Sequence, residues 1–450
     1  MNIRAMLDSV FQAALASVNP RQVINSSLRL DGDQLTIRTE TEQVVADLSR
    51  YNRLLALGVG KAAAGMATAV EDMLGDRIDG GLVVTKHGFG EPLRRIELIE
   101  AGHPVPDDNS VVAGRRMAKL ARNADAQTLV LFLVSGGGSA LLTTPFENSQ
   151  VSLSLDDIQR TTQLLLDCGA DITEINCLRK HMSLLKGGRL AKMLAPATTF
   201  SLILSDVVGN RLDSIASGPT VPDPSTFDQM LLIIERYGLA DRLPASVAKL
   251  LKLGQQGVIE DTPADDDPAF GHVRNILVGN NAQALEAAVA HARTLGVSTR
   301  ALTSQLSGEA REVAVALFAE AKAIPDSELP VLMLAGGETT VTLDNDHGKG
   351  GRNQEMALAF LAEMARNPDT AEITLLSAAT DGNDGPTDAA GAWASRQALS
   401  EARAVGLDPD DYLRRHDAYA FFERLGQLYK TGPTRTNVGD IQLIYIDRKL

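Results

Sequence analysis

The sequence predicts an α/β protein of two domains, and three observations carry that prediction. A single hydrophobic core rarely grows beyond about 250–300 residues, and this chain has 450. Short apolar runs alternate with longer amphipathic stretches, the pattern of a parallel sheet covered on both faces by helices. Glycine-rich loops follow several of those runs directly, where such sheets collect their ligands.

The elements follow in order. Met6, Leu7, Val10, Phe11, Ala14, Leu15 and Val18 share one helix face near the N-terminus, and Asp8 and Gln12 interrupt any signal-peptide core. RLLALGVG (53–60) reads as a strand entering a glycine turn, with a helix over 61–74. GGLVVT (80–85), RIELIEA (95–101), TLVLFLVS (128–135) and TFSLILSD (199–206) read as further strands, with a helix at 108–122. The stretch 155–194 reads as helical, with an Asp171–Glu174 capping box and Gly187-Gly188 closing the second helix. Residues 254–271 combine glycine, proline and an acidic run and make the best candidate boundary. Beyond it come strands at 275–279, 298–302, 331–337, 373–380 and 441–446, and helices at 281–295, 308–323 and 352–366.

Composition narrows the function. Apolar residues at 44% suffice for a proper core, while 4% aromatics argue against stacking platforms for bases or sugars. A net charge of −14 disfavours nucleic acid and anionic membranes, so any anion site must be local. The run at 128–134 is too short to span a bilayer. Cys168 and Cys177 form neither a disulfide framework nor a CxxC pair, which fits a reducing compartment. The expectation is a cytoplasmic protein without nucleic-acid or membrane partners.

Five loops are candidates for the chemistry. In GVGKAAAG (58–65), Lys61 stands at a helix start, suited to phosphate or carboxylate. The loop is not a Walker A motif, since Ala62 replaces the magnesium-binding hydroxyl. It approaches the dinucleotide fingerprint, but the next strand ends VTKH (84–87) without the acid that would hold a ribose. In SGGGSA (135–140), Gly136, Gly137 and Gly138 can form a nest of N–H donors beside Ser135 and Ser139. Asp206, at the mouth of its strand, can orient or deprotonate an alcohol, or cap the following segment. Arg352, after Gly350-Gly351 and opening a helix, suits bidentate capture of an anion. TDGNDGPTDAAG (380–391) crowds Asp381, Asn383, Asp384 and Asp388 in one turn, fitting either Asx turns or Mg²⁺ brought in on phosphates. Of seven scattered histidines, His103 and His181 remain candidates.

Taken together, GVGKAA (58–63), GHPVPD (102–107), VSGGGSALL (134–142), SDVVGN with SGPT (205–220), GGETTVT (336–342), GRNQE (351–355), ATDGNDGPTDAAG (379–391) and GPTRTNVGD (432–440) resemble the class II glycerate 2-kinases. The C-terminal part of that family is the MOFRL domain, and its members are often labelled hydroxypyruvate reductases. One departure stands out: Arg435 occupies a position that is usually glycine.

The resemblance implies a Rossmann-like N-terminal domain (1–260) and a smaller mixed α/β MOFRL domain (261–450), with the active site between them. It implies phosphorylation of D-glycerate to 2-phosphoglycerate with ATP and Mg²⁺, in bacteria often within tartrate or glycerate catabolism. The essential lysine and arginine of the family map to Lys61 and Arg352, and Asp206 falls in a cleft motif. The matching motifs put Gly60, Ser135, Gly136, Gly137, Gly138, Ser139, Asn210, Glu338, Asn353, Asp381 and Asp384 among the binding residues, with Asp381 and Asp384 as the metal contacts. A homodimer is a further expectation. The alternatives are an NAD(P)H-dependent hydroxypyruvate reductase and a non-catalytic metabolite-binding regulator.

Overall fold

The structure, a computed structural model, describes residues 2–343, 346–368 and 371–448. The chain builds two compact units. The first holds residues 20–205 and 210–278; the second holds the segment ending at Asn19, residues 206–209, and the chain from Gly279 onward.

The first unit begins with a small antiparallel sheet, β1 (Leu28–Asp31), β2 (Gln34–Arg38) and β3 (Gln43–Asp47), that the sequence pattern did not announce. These strands are short and half exposed, with Leu35 and Ile37 as buried anchors. Its main sheet contains β4 (Arg53–Val59), β5 (Gly80–Lys86), β6 (Glu97–Ala101), β7 (Thr128–Ser135), β8 (Thr198–Leu204) and β9 (Val273–Gly279), in the spatial order β6-β5-β4-β7-β8-β9. The pairs from β6 through β8 are parallel. Every residue of β7 is buried, which explains its unbroken apolar run. Because β9 extends this sheet, the chain leaves the unit at Val278, past the 254–271 loop, and a break at 260 is not where the units part.

Helix Ala63–Leu74 follows β4, and the expected helix Asp108–Arg122 is capped by an Asp107–Ser110 box. The Asp171–Glu174 box opens helix Ile172–His181 as expected. That helix stops at His181, however, and Gly187-Gly188 do not close it: Gly188, at φ 77°, is the N-cap of the next helix, Arg189–Leu194. Helices Leu155–Asp167, Phe227–Arg236 and Ala245–Gln255 share an apolar cluster with Ile172–His181. Cys177 lies in that cluster, and burial raises its thiol to about 11, so it is inert.

The second unit has a mixed sheet of β10 (Ser298–Leu306), β11 (Val331–Gly337), β12 (Glu372–Ala379), β13 (Gly391–Ser395), β14 (Leu428–Tyr429) and β15 (Asp440–Asp447), ordered β10-β11-β15-β12-β13-β14. Only β10–β11 is parallel; β15 runs antiparallel to both β11 and β12. The N-terminal helix, Ile3–Ser17, buries Met6, Leu7, Val10, Phe11, Ala14 and Leu15 and packs on helix Asn281–Thr294 and on β15. Asn281 ties that second helix to the sheet, its amide donating to the carbonyls of Val438 and Asp440, each at 2.9 Å.

Candidate active site

In the first unit, β4 leads outward to β5 and β6, while its neighbour β7 leads the other way to β8 and β9. Connections that diverge from adjacent strands leave a crevice at their carboxyl ends, the preferred ligand position of open α/β sheets. The two loops at that crevice are the lysine loop after β4 and the triple-glycine turn after β7. Backbone bonds stitch them together: the Lys61 N–H donates to the Gly136 carbonyl at 2.9 Å, and the Ala62 N–H to Ser135 Oγ at 3.0 Å. Gly60, at φ 130°, admits the second loop, since a Cβ there would lie 2.2 Å from Ser135 Oγ. A Cβ on Gly137, itself at φ 82°, would lie 3.0 Å from His103 Nε2 and 3.4 Å from Lys61 Cγ. Lys61, His103 and the glycine turn therefore share one small space. Ser135, fully buried, serves as the stitch between the loops and not as a ligand group. Ser139 Oγ bonds Ser217 Oγ at 2.8 Å, and Asn210 sits half-buried at φ 53°.

In the second unit Arg352 opens helix Arg352–Arg366, as expected, and it is not a bare surface cation. Its Nε and one terminal nitrogen donate to the two Asp440 oxygens at 2.6 and 2.9 Å, and its other terminal nitrogen meets Glu338 at 2.6 Å. Burial works against its charge, but Asp440 and Glu338 more than offset that and hold the guanidinium protonated. Asp206, in the segment that belongs to this unit, accepts from the Asn437 amide at 3.0 Å.

The acidic loop divides into two roles. Asp384 is buried, and its oxygens accept from the backbone N–H groups of Asn353 (3.1 Å) and Gln354 (2.8 Å) and from both their side-chain amides. It caps the Arg352 helix from thirty residues away, so its expected place as a metal contact gives way to a structural one. Burial, reinforced by Asp440, raises its carboxyl to about 6. Asn353, likewise fully buried, receives the Ser377 hydroxyl at 2.7 Å and faces the core, not a ligand. Asp381 stays half-exposed, one oxygen accepting from the Asn383 N–H at 3.0 Å. Among the described residues no three His, Cys, Asp or Glu side chains gather into a metal cage. His181 is fully buried, bonded to the Cys177 carbonyl and Asp261 and packed on Phe227, and is a core residue.

Known proteins share this arrangement. Residues 6–252 match a domain of unknown function (DUF4147), and residues 331–440 match the MOFRL family. A glycerate 2-kinase of Pyrococcus horikoshii is 37% identical over 100% of this chain and 98% of its own length. The chain belongs to the MOFRL family of glycerate 2-kinases. An Agrobacterium vitis relative carrying a hydroxypyruvate reductase name is 38% identical over 99% of this chain and 95% of its own. The crystal structure of a Thermotoga maritima glycerate kinase superposes with a TM-score of 0.82 at 35% identity, covering 99% of both chains. That kinase thus shares the fold over nearly its whole length, and the expected Rossmann-like unit with a mixed second unit is what the chain forms.

Sequence reasoning did not single out Asp440 or Asn437. A signal existed for Asp440, a carboxylate set directly before the buried strand IQLIYI, where it needs a cation.

Proposed function

We propose that the protein transfers the γ-phosphoryl group of ATP to the 2-hydroxyl of D-glycerate, giving ADP and 2-phospho-D-glycerate. One observation carries the reading: the switch-point crevice holds a lysine and a three-glycine turn, on a sheet whose β5 ends in Thr85-Lys86 and not in an acid. A dinucleotide needs a carboxylate there for its ribose, whereas a triphosphate needs cations and N–H donors. Full-length similarity to proteins named glycerate 2-kinase supports the choice of substrate.

Phosphoryl transfer asks mainly for positioning and charge neutralisation. Lys61 neutralises charge building on the transferred group, and the Gly136–Gly138 turn cradles anionic oxygens. Asp206 accepts the 2-hydroxyl proton as that oxygen bonds to phosphorus and the bridge to ADP breaks. Arg352 acts on the same phosphoryl group: Glu338, 42% exposed, is the partner a phosphate can displace, while Asp440, 1% exposed, keeps the guanidinium aimed. Mg²⁺ carried on the nucleotide supplies further neutralisation when bound. Asp381 is the residue that fits it, since such an ion needs only one or two protein carboxylates.

The reading includes a cytoplasmic homodimer, which light scattering checks. No helix among the described residues is long and apolar enough to cross a membrane. The deciding assay combines purified protein, D-glycerate, ATP and Mg²⁺. ADP and a 2-phosphate ester are expected; oxidation of NADH or NADPH by hydroxypyruvate without ADP would establish the reductase instead. Lys61→Ala should lower kcat by 10²-fold or more, roughly 3 kcal/mol of lost stabilisation, with an unchanged melting temperature.

A further inference from the structure

Four cations lie close together in the first unit: Arg179 and Lys180 in helix Ile172–His181, Lys186 in the turn after it, and Arg189 opening the next helix. Two have clear partners. Lys180 is bonded to Asp223 at 3.1 Å and lies 3.8 Å from Asp213. Arg189 donates to the Ser183 and Glu260 carbonyls and lies over the Phe146 ring. The side chains of the other two, Arg179 and Lys186, make no hydrogen bond or ion pair with any described residue. Lys186 is nonetheless only 4% exposed. Partial desolvation of an ammonium with no counter-charge is costly. Burial and repulsion from Arg179 push it down to about 7. Close packing does not explain two like charges kept side by side, one half-buried and the other on a residue almost wholly covered; an anion does.

Their surroundings suit an anion. Asn176 precedes Arg179 by one helical turn and so lies on the same face. Its side-chain oxygen accepts from Ser217 Oγ at 3.2 Å, and Ser217 Oγ in turn bonds Ser139 Oγ of the triple-glycine turn at 2.8 Å. Gly187, directly after Lys186, donates its N–H to the Ser217 carbonyl at 3.0 Å. Ala216 and Ser217 are held at φ 52° and 60°, left-handed conformations that cost non-glycine residues on the order of 1 kcal/mol each. The cation pair is therefore tied through Ser217 to the loop that also meets Lys61.

We propose that Arg179 and Lys186, with the Ser139, Ser217 and Asn176 side chains, form an anion site that takes the carboxylate of the hydroxy-acid substrate. The proposal rests on the kinase reading for its ligand and on the unpaired cations for its place. A planar guanidinium beside an ammonium matches a carboxylate's two oxygens. A nucleotide phosphate shares that chemistry, so the test must separate the two.

The variants are Lys186→Met and Arg179→Gln, which keep side-chain volume and remove charge. Titration calorimetry and steady-state kinetics with D-glycerate and with ATP are run on each. Binding and KM for D-glycerate should weaken roughly 10- to 100-fold, with those for ATP unchanged. Lys186→Met should also melt higher than wild type without ligand, because a buried unpaired charge is gone. Weakened ATP binding with intact glycerate binding would overturn the carboxylate assignment, and so would full affinity for both. Should the wild-type protein show no glycerate turnover, the kinase reading fails on its own. The anion site would then be judged by thermal stabilisation with D-glycerate: its presence in wild type and loss in both variants supports the site, and equal stabilisation in all three overturns it.

Discussion

Arg352 shows how a residue's partners change what its removal will report. Truncating it leaves Asp440, 1% exposed, without its counter-ion and close to buried Asp384. Arg352→Ala should therefore lose turnover and also roughly 3 kcal/mol or more of stability, measured by urea unfolding. Pairing Arg352→Met with Asp440→Asn should restore most of the stability and none of the turnover; recovered kcat in the pair would remove Arg352 from the chemistry. At Arg435 the question is one of backbone conformation. It holds φ at 66°, a conformation natural to glycine. Arg435→Gly should raise stability by about 1 kcal/mol, seen as a higher melting temperature, with kcat unchanged.

Between residues and the fold, the informative element is helix Arg352–Arg366, whose first turn is fixed by Asp384. That carboxyl is raised to about 6 in the folded protein, above the ordinary 3.8. The fold thus binds its proton more tightly than the unfolded chain does. This gives stability that is fully present below 3.8 and lost as pH rises through 6. Asp384→Asn lacks the titration and turns an amide donor toward N–H groups, so it should be less stable than wild type throughout. Its deficit should shrink between pH 4 and pH 7.5 in unfolding experiments; a deficit growing with pH would mean Asp384 is ionised more easily than its burial implies. The sequence showed where this helix starts and offered the Arg352 side chain there for an anion. The acceptor of its first N–H groups, thirty residues onward, was not visible, because side-chain capping across a fold leaves no periodic trace.

At the scale of the molecule, the chain crosses between its two units at residues 19–20, 205–206, 209–210 and 278–279. The N-terminal helix completes the core of the unit built by the C-terminal third, and Phe11 is fully buried there, edge-on to Tyr429 at 5.5 Å. Phe11→Ala should cost roughly 3–5 kcal/mol. Hydrogen exchange should accelerate in helix Asn281–Thr294 and β15 while β4, β7 and β8 keep their protection. Uniform acceleration would mean that the two units unfold together.

Sequence alone determined the strands and helices whose burial is written in their periodicity: Thr128–Ser135, Val331–Gly337, Asp108–Arg122 and Arg352–Arg366 stand where the pattern put them. It also determined the lysine and glycine loops, because conformational freedom and charge are local properties of residues. Tertiary structure decided which polar groups are already spent. Asp384 and Asn353 face a helix end and a core, Arg352 is held by Asp440, and Arg179 and Lys186 are left unpaired. Whether a charge is satisfied depends on groups brought from elsewhere in the chain, and only folding sets those distances.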